Sequence, residues 1–200
     1  MRTDEPQLTI DPAPIRAYAQ HSTEDATRYA WLREALELHR APTPRLPGYD
    51  LLRELLSEKR RHAIERVFRA HGISHPREDL RSIHDAMVQG DDAQRDAARE
   101  ILEHVLPADQ RAPLVDLLLH DDKHPHDEAE IRENYPSYTE VLTTLLADHS
   151  DSLRCVAAHH VAERKLVGLR DELLRLKPLT ESKLVTQAFE QAIARLDVQH

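Results

Sequence analysis

Apolar positions fall three and four residues apart along most of this chain. From Leu51 to Phe68, the residues Leu51, Leu52, Leu55, Leu56, Ala63, Ile64, Val67 and Phe68 form one stripe, the pattern of a helix with one buried face. An earlier helical pattern runs from Ile15 to about Arg40 through Tyr18, Ala26, Tyr29, Ala30, Leu32, Leu36 and Leu38. Ser22-Thr23-Glu24-Asp25 is placed to cap a second helix inside it. Between the two patterns, Ala41-Pro42-Thr43-Pro44-Arg45-Leu46-Pro47-Gly48 reads as a linker, because proline cannot occupy a helix interior. Gly72 is expected to end the long helix.

From residue 76 the helices shorten and the punctuation becomes regular. Pro76-Arg77-Glu78-Asp79 opens a helix that Gly90 ends, Asp91-Asp92 caps the next to Leu106, and Pro107 starts another through Leu119. A polar segment from His120 to Pro136 interrupts the series. Helices are expected again at 137–148, 151–165, 167–176 and 181–196. No run of alternating apolar and polar residues is long enough for a half-buried strand.

The later helices repeat weakly. One offset lays Asp92, Arg95 and Ala98 on Asp151, Arg154 and Ala157, and lays Ile83, Ala86, Met87 and Leu102 on Leu142, Leu145, Leu146 and Val161. A shorter offset lays Leu142, Leu145, Leu153, Ala157 and Val161 on Leu173, Leu176, Leu184, Ala188 and Ala192. An amphipathic hairpin cannot bury its face alone, so repetition points to stacked hairpins. The expected fold is all-α: an irregular HEAT-like superhelix of stacked antiparallel helical hairpins over residues 49–200. Residues 1–48 supply a tail, a capping helix and the proline-rich linker. One continuous core is expected to include Leu52, Leu55, Leu56, Ile101, Leu118, Leu145, Leu184, Ala188, Phe189 and Ile193.

Composition narrows the function. Scarce glycine and abundant Ala, Leu, Glu and Arg suit helices. The net charge of −9, with arginines dispersed among carboxylates, disfavours a sequence-independent grip on nucleic acid. The same charge and the low aromatic content argue against the helical-repeat DNA glycosylases, which need a basic, aromatic-lined groove. Cys155 is the only cysteine, so no intrachain disulfide can form, and its apolar neighbours place it in the core. No stretch approaches the ~18 apolar residues of a membrane span, and residues 1–7 lack the apolar segment of a secretory signal. A cytoplasmic location, or one at the cytoplasmic face of the inner membrane, is expected.

Three places carry candidate chemistry. His120-Asp121-Asp122-Lys123-His124-Pro125-His126-Asp127-Glu128 gathers imidazoles and carboxylates suited to zinc or nickel, with His124, His126 and Asp122 as candidate ligands. A solvated insertion is the alternative, since Pro125 restricts how both rings turn to one ion. His159, His160 and Glu163 share a helix face, a spacing available to a general base and its orienting carboxylate. The competing expectation is that one histidine is exposed and the other packs at a helix contact. Trp31, Tyr18 and Tyr29 form either a docking face or part of a helix that caps the repeats.

Leu145-Leu146-x-Asp148-x-x-x-x-x-Arg154-x-x-Ala157 resembles the HEAT signature, in which an Asp and a following Arg pair between adjacent repeats; Gln89 replaces the Asp in the earlier hairpin. Residues 50–196 carry a closer likeness in Leu55-Leu56-x-Glu58-Lys59, Ala63-Ile64-Glu65-Arg66-Val67-Phe68-Arg69, Glu78-Asp79-Leu80-Arg81-Ser82-Ile83, Gly90 through Glu103, and Asp151-Ser152-Leu153-Arg154-Cys155-Val156-Ala157. These segments are similar to the cytoplasmic HEAT-like region that follows the membrane part of bacterial ATP/ADP-translocase-like carriers of the major facilitator type. The resemblance implies an appended module with no catalytic residues and no cofactor. The function expected is a non-enzymatic interaction or scaffold module that binds another protein. The alternatives are a small-ligand or nucleotide sensor, and a metal-binding protein working through the His120–Glu128 loop.

Overall fold

The computed structural model describes residues 11–39, 46–119 and 135–198, and all regular structure among them is helical. The described residues form nine α-helices, in order α1 (Pro12–Leu38), α2 (Pro47–Ser74), α3 (Leu80–Gln89), α4 (Asp92–Val105), α5 (Ala108–Leu119), α6 (Tyr138–Leu146), α7 (Asp151–Glu163), α8 (Arg170–Leu176) and α9 (Lys183–Asp197). Short 3-10 turns at Val167–Leu169 and Lys177–Leu179 flank α8.

Local chemistry sets the boundaries. Asp79 accepts the Ser82 N–H ahead of α3. Asp91 with Gln94, and Ser137 with Glu140, form reciprocal capping boxes on α4 and α6. Pro47 is the first residue of α2, where its missing N–H costs nothing, so Pro47 and Gly48 belong to the helix and not to the expected linker. Two expected breaks do not occur. Within α1, the Thr23 hydroxyl donates to the Ala19 carbonyl and Asp25 pairs with Arg66 at 3.0 Å; with these groups engaged, the helix runs unbroken past residues 22–25. In α2, Gly72 lies inside the helix, which continues to Ser74. Pro76 supplies the stop, since the residue before a proline avoids helical geometry.

The chain divides into two compact units. One comprises Met1–Thr27 and Arg60–His124, the other Arg28–Lys59 and Pro125–His200. Each therefore draws on both sides of the boundary at residue 48 that the sequence suggests, and the single continuous core expected is replaced by two. In the first unit, Ala26, Ile64, Val67, Phe68, Ile83, Met87, Ala98, Leu102 and Leu114 are buried, with α3 packed on α4 and α4 on α5.

The second unit has a core that includes Leu32, Leu36, Leu52, Leu56, Leu142, Leu145, Leu153, Val161, Leu173, Val185 and Phe189. Its four C-terminal helices pair as α6 with α7 and α8 with α9; α6 also contacts α8, and α7 contacts α9. First helix meets first helix and second meets second. The α6–α8 offset is as expected, since Leu142 and Leu145 are matched by buried Leu173 and Leu176. Between α7 and α9 it holds only in part. Val161 and its expected counterpart Ala192 are both buried, but the buried counterparts of Leu153 and Ala157 are Val185 and Phe189, one residue beyond the expected Leu184 and Ala188. The connection before α9, containing Lys177–Leu179, is longer than that before α7. Leu184 is 63 % exposed, while Ala188 and Ile193 are half-buried. Ile101 on α4 is exposed, and Leu55, Leu118 and Cys155 are half-buried rather than enclosed.

The expected Asp–Arg pair is also replaced. The Asp148 carboxylate, wholly shielded, accepts Arg28 at 2.5 Å and the Ser150 N–H at 2.7 Å. Arg154 donates instead to the Leu146 carbonyl and to the Thr180 hydroxyl at 2.9 Å. It thereby ties one hairpin to the turn that opens α9.

Candidate functional site

The candidate ligands His124, His126 and Asp122, and the rest of His120–Glu128, lie outside the described residues. Among the described residues, no group of three His, Cys, Asp or Glu side chains is placed to hold a metal ion. Tyr29 is buried and hydrogen-bonds His149 at 3.2 Å. Trp31 stacks on Tyr135, whose hydroxyl donates to Glu34 at 2.6 Å. Tyr18 is half-exposed and falls in the other unit.

The histidine pair divides as the second expectation had it: His159 is exposed and His160 is fully buried. Around His160 lies a buried polar arrangement. The Ser137–Glu140 box starts α6 with Tyr138 as its first residue, and the Tyr138 hydroxyl reaches His160 Nε2 at 2.5 Å. One turn along α7, Glu163 Oε2 lies 3.0 Å from His160 Nδ1. The same oxygen accepts the backbone N–H of Gly48 at 3.1 Å, from the first turn of α2, where the helix dipole favours negative charge. The Tyr49 ring packs 6.3 Å from the imidazole, and the Arg164 guanidinium lies 5.5 Å from the Tyr138 ring centroid.

One protonation pattern satisfies every partner: neutral His160 donates from Nδ1 to an ionised Glu163 and accepts the phenol proton at Nε2. The electrostatics favour this pattern. Burial holds the His160 pKa below the usual histidine value, against the opposing pull of Glu163. Burial likewise pushes the Tyr138 phenol up to about 12, with Arg164 opposing.

The order hydroxyl–imidazole–carboxylate has the connectivity of a catalytic triad, but its properties run the other way. An activated nucleophile needs an exposed hydroxyl that gives up its proton readily. Here the phenol holds its proton more tightly than free tyrosine, and the imidazole has no exposed surface on which a substrate could sit. The arrangement joins α2, α6 and α7. Tyr138 and Gly48, 22 and 115 residues from their partners, carry no sequence signal for it.

Gly48 sits at a close approach. A Cβ there would lie 2.6 Å from Glu163 Oε2 and 3.0 Å from His160 Nδ1. Gly48→Ala should therefore destabilise the protein by about 1–3 kcal/mol, a typical cost of overpacking. Gly72→Ala, where a Cβ meets nothing within 4 Å, should stabilise it by about 0.5–1 kcal/mol, as expected for glycine in a helix interior. Chemical denaturation of the two variants checks the opposite signs.

The first unit carries a cleft of about 610 Å³ beside Phe68, Gly72, Leu80 and His84. Several of its acids are already engaged: Glu65 pairs with Arg61 and Arg69, Asp79 with Ser82, and Asp85 with His84.

Among the described residues, no helix is long and apolar enough to cross a membrane. No protein-family model, curated protein or solved structure matches the chain.

Proposed function

We propose that this chain is a non-enzymatic protein-interaction module built from HEAT-like stacked hairpins, acting as a free adaptor or as the soluble regulatory domain of a membrane carrier, in the cytoplasm or at the inner membrane's cytoplasmic face. The observation that carries the reading is the last hairpin. Leu174, Leu179 and Leu184 stand exposed at 42 %, 69 % and 63 %, while the inward side of the same hairpin holds Leu173, Leu176, Val185 and Phe189 buried. Large apolar side chains set outward at the end of a repeat stack suit the docking of another protein. Two further features support it. The hydroxyl–imidazole–carboxylate arrangement around His160 is sealed from solvent. The net charge of −9 favours a protein partner over nucleic acid.

The test uses the full chain as bait in affinity capture beside the Leu179→Ser, Leu184→Ser double variant. A protein retained by the wild type and reduced at least ~10-fold by the variant supports the reading, that loss being about 1.4 kcal/mol. Both substitutions are on the surface, so stability should change by no more than about 0.5 kcal/mol each. Equal capture by both proteins, or turnover of a substrate by the pure chain, overturns the proposal. The cleft beside Phe68 and His84 favours a second reading, a small-ligand sensor, because such sites need a concave pocket with a few polar groups. That reading predicts a ligand-dependent rise in melting temperature, lost on Gly72→Leu.

A further inference from the structure

We infer that Tyr138, His160, Glu163 and the Gly48 N–H form a proton-operated latch, which holds the first turn of α2 against α7 when His160 is neutral and releases it when His160 gains a proton. The geometry makes the imidazole the pivot. It is enclosed between the Tyr138 hydroxyl at 2.5 Å and the Glu163 carboxylate at 3.0 Å. The Gly48 backbone lies so close that even a methyl group there would meet His160 Nδ1 at 3.0 Å and Cβ at 3.1 Å.

Adding a proton changes one bond and the hydration of the whole ring. Nδ1–H still points at Glu163. Nε2 becomes a donor aimed at the phenol oxygen, so the Tyr138 O–H loses its acceptor. A fully enclosed imidazolium and a half-buried phenol O–H whose acceptor is lost are both costly. Water can reach the charged ring only if a neighbour moves. Tyr138 belongs to α6, whose capping box and apolar face keep it in place. Gly48 is in the first turn of α2, joined to Glu163 by a single hydrogen bond and next to a helix end, where local opening costs least.

The charged and titratable groups facing the ring are Tyr138 from α6, Tyr49 from α2, and His159, Glu163 and Arg164 from α7 itself. Glu163 stabilises the added proton, whereas Arg164 and His159 oppose it. The direction of the shift agrees with the geometry, since enclosure holds the His160 pKa below 6.5. The latch is therefore closed at neutral pH and opens on acidification.

The experiment follows hydrogen exchange at the Gly48 and Tyr49 amides of the full chain from pH 7 to 4.5, corrected for intrinsic exchange, together with the ring ¹⁵N shifts of His160. Protection at Gly48 should fall at least ~10-fold with the midpoint at which His160 protonates, while Leu145 and Leu153 stay protected. The ring shifts at pH 7 should show the proton on Nδ1. In His160→Gln the pH step should vanish, and in His159→Gln, at the exposed neighbour, it should persist. Full Gly48 protection after His160 has protonated would overturn the latch. So would a step that survives in His160→Gln, or simultaneous loss at Leu145 and Leu153, which would mean whole-unit acid unfolding. Should His160→Gln not fold, agreement between the two wild-type midpoints decides the question alone.

Discussion

Phe189→Ala should destabilise the second unit by about 3–5 kcal/mol, the range for removing a large buried aromatic side chain, whereas Leu184→Ala should change it by less than about 0.5 kcal/mol. Both residues lie on α9, five positions apart. Phe189 is wholly enclosed by the core that includes Leu145, Leu153 and Leu173. Truncating it leaves a cavity that the surrounding helices can fill only in part. It also removes the ring that lies 5.4 Å from the Arg154 guanidinium, the side chain that reaches across to Thr180. Leu184 is 63 % exposed and leaves nothing behind. The pair is a direct test of the α9 register, because the repeat offset in the sequence would place Leu184 opposite buried Leu153. Urea denaturation followed by far-ultraviolet circular dichroism measures both variants. A large loss for Leu184→Ala with a small one for Phe189→Ala would show that α9 is rotated from the orientation described.

The first unit should lose stability in acid between pH 6.5 and about 4, through His71. This side chain on α2 is buried, and its pKa is lowered from 6.5 to about 4, first by burial and then by nearby His75. The folded state therefore binds the proton less readily than the unfolded chain. Above pH 6.5 both states hold neutral histidine and the full stability is present. Below 6.5 the unfolded chain takes up the proton first, and stability falls until the folded form also protonates near pH 4. A difference of about 2.5 units, at 1.36 kcal/mol each, makes the loss on the order of 3 kcal/mol. Denaturation midpoints at successive pH values should decline across this window in the wild type, and the decline should be markedly shallower in His71→Gln. Equal slopes in the two proteins would assign the acid sensitivity to other groups. His160 contributes in the same direction in the second unit, so the His71 effect is read from probes in the first.

The candidate site was only half legible. His160 and Glu163 stand one turn apart, and the sequence alone presents them as a possible pair on one helix face. That His160 would be enclosed and His159 exposed depends on which side of α7 meets its neighbours. Tyr138 looks like any residue following a helix cap. Gly48 looks like the end of a proline-rich linker, yet it supplies a backbone donor to Glu163 and a position where an added Cβ would crowd Glu163 and His160. A hydrogen bond spanning 115 residues has no local correlate, because local patterns report how a segment folds and not what it meets.

Helix identity and most helix ends were determined by the sequence itself. The three-and-four spacing of Leu, Ile and Val selects which face is buried, and Asp79, Asp91 and Ser137 mark starts through hydrogen bonds within one turn. Such interactions lie within a few residues of one another and survive any change of tertiary setting. Only the tertiary structure decided that α1 runs through residues 22–25, because Asp25 is taken up by Arg66 from α2. It also decided that Asp148 pairs with Arg28 and not in an Asp–Arg ladder, and that α9 presents Val185 to the core in place of Leu184. The division into two units, whose boundaries include one inside α1 and one inside α2, belongs to the same class. In each case the partner is remote in sequence, and the outcome turns on a rotation or contact that a one-dimensional pattern leaves undetermined.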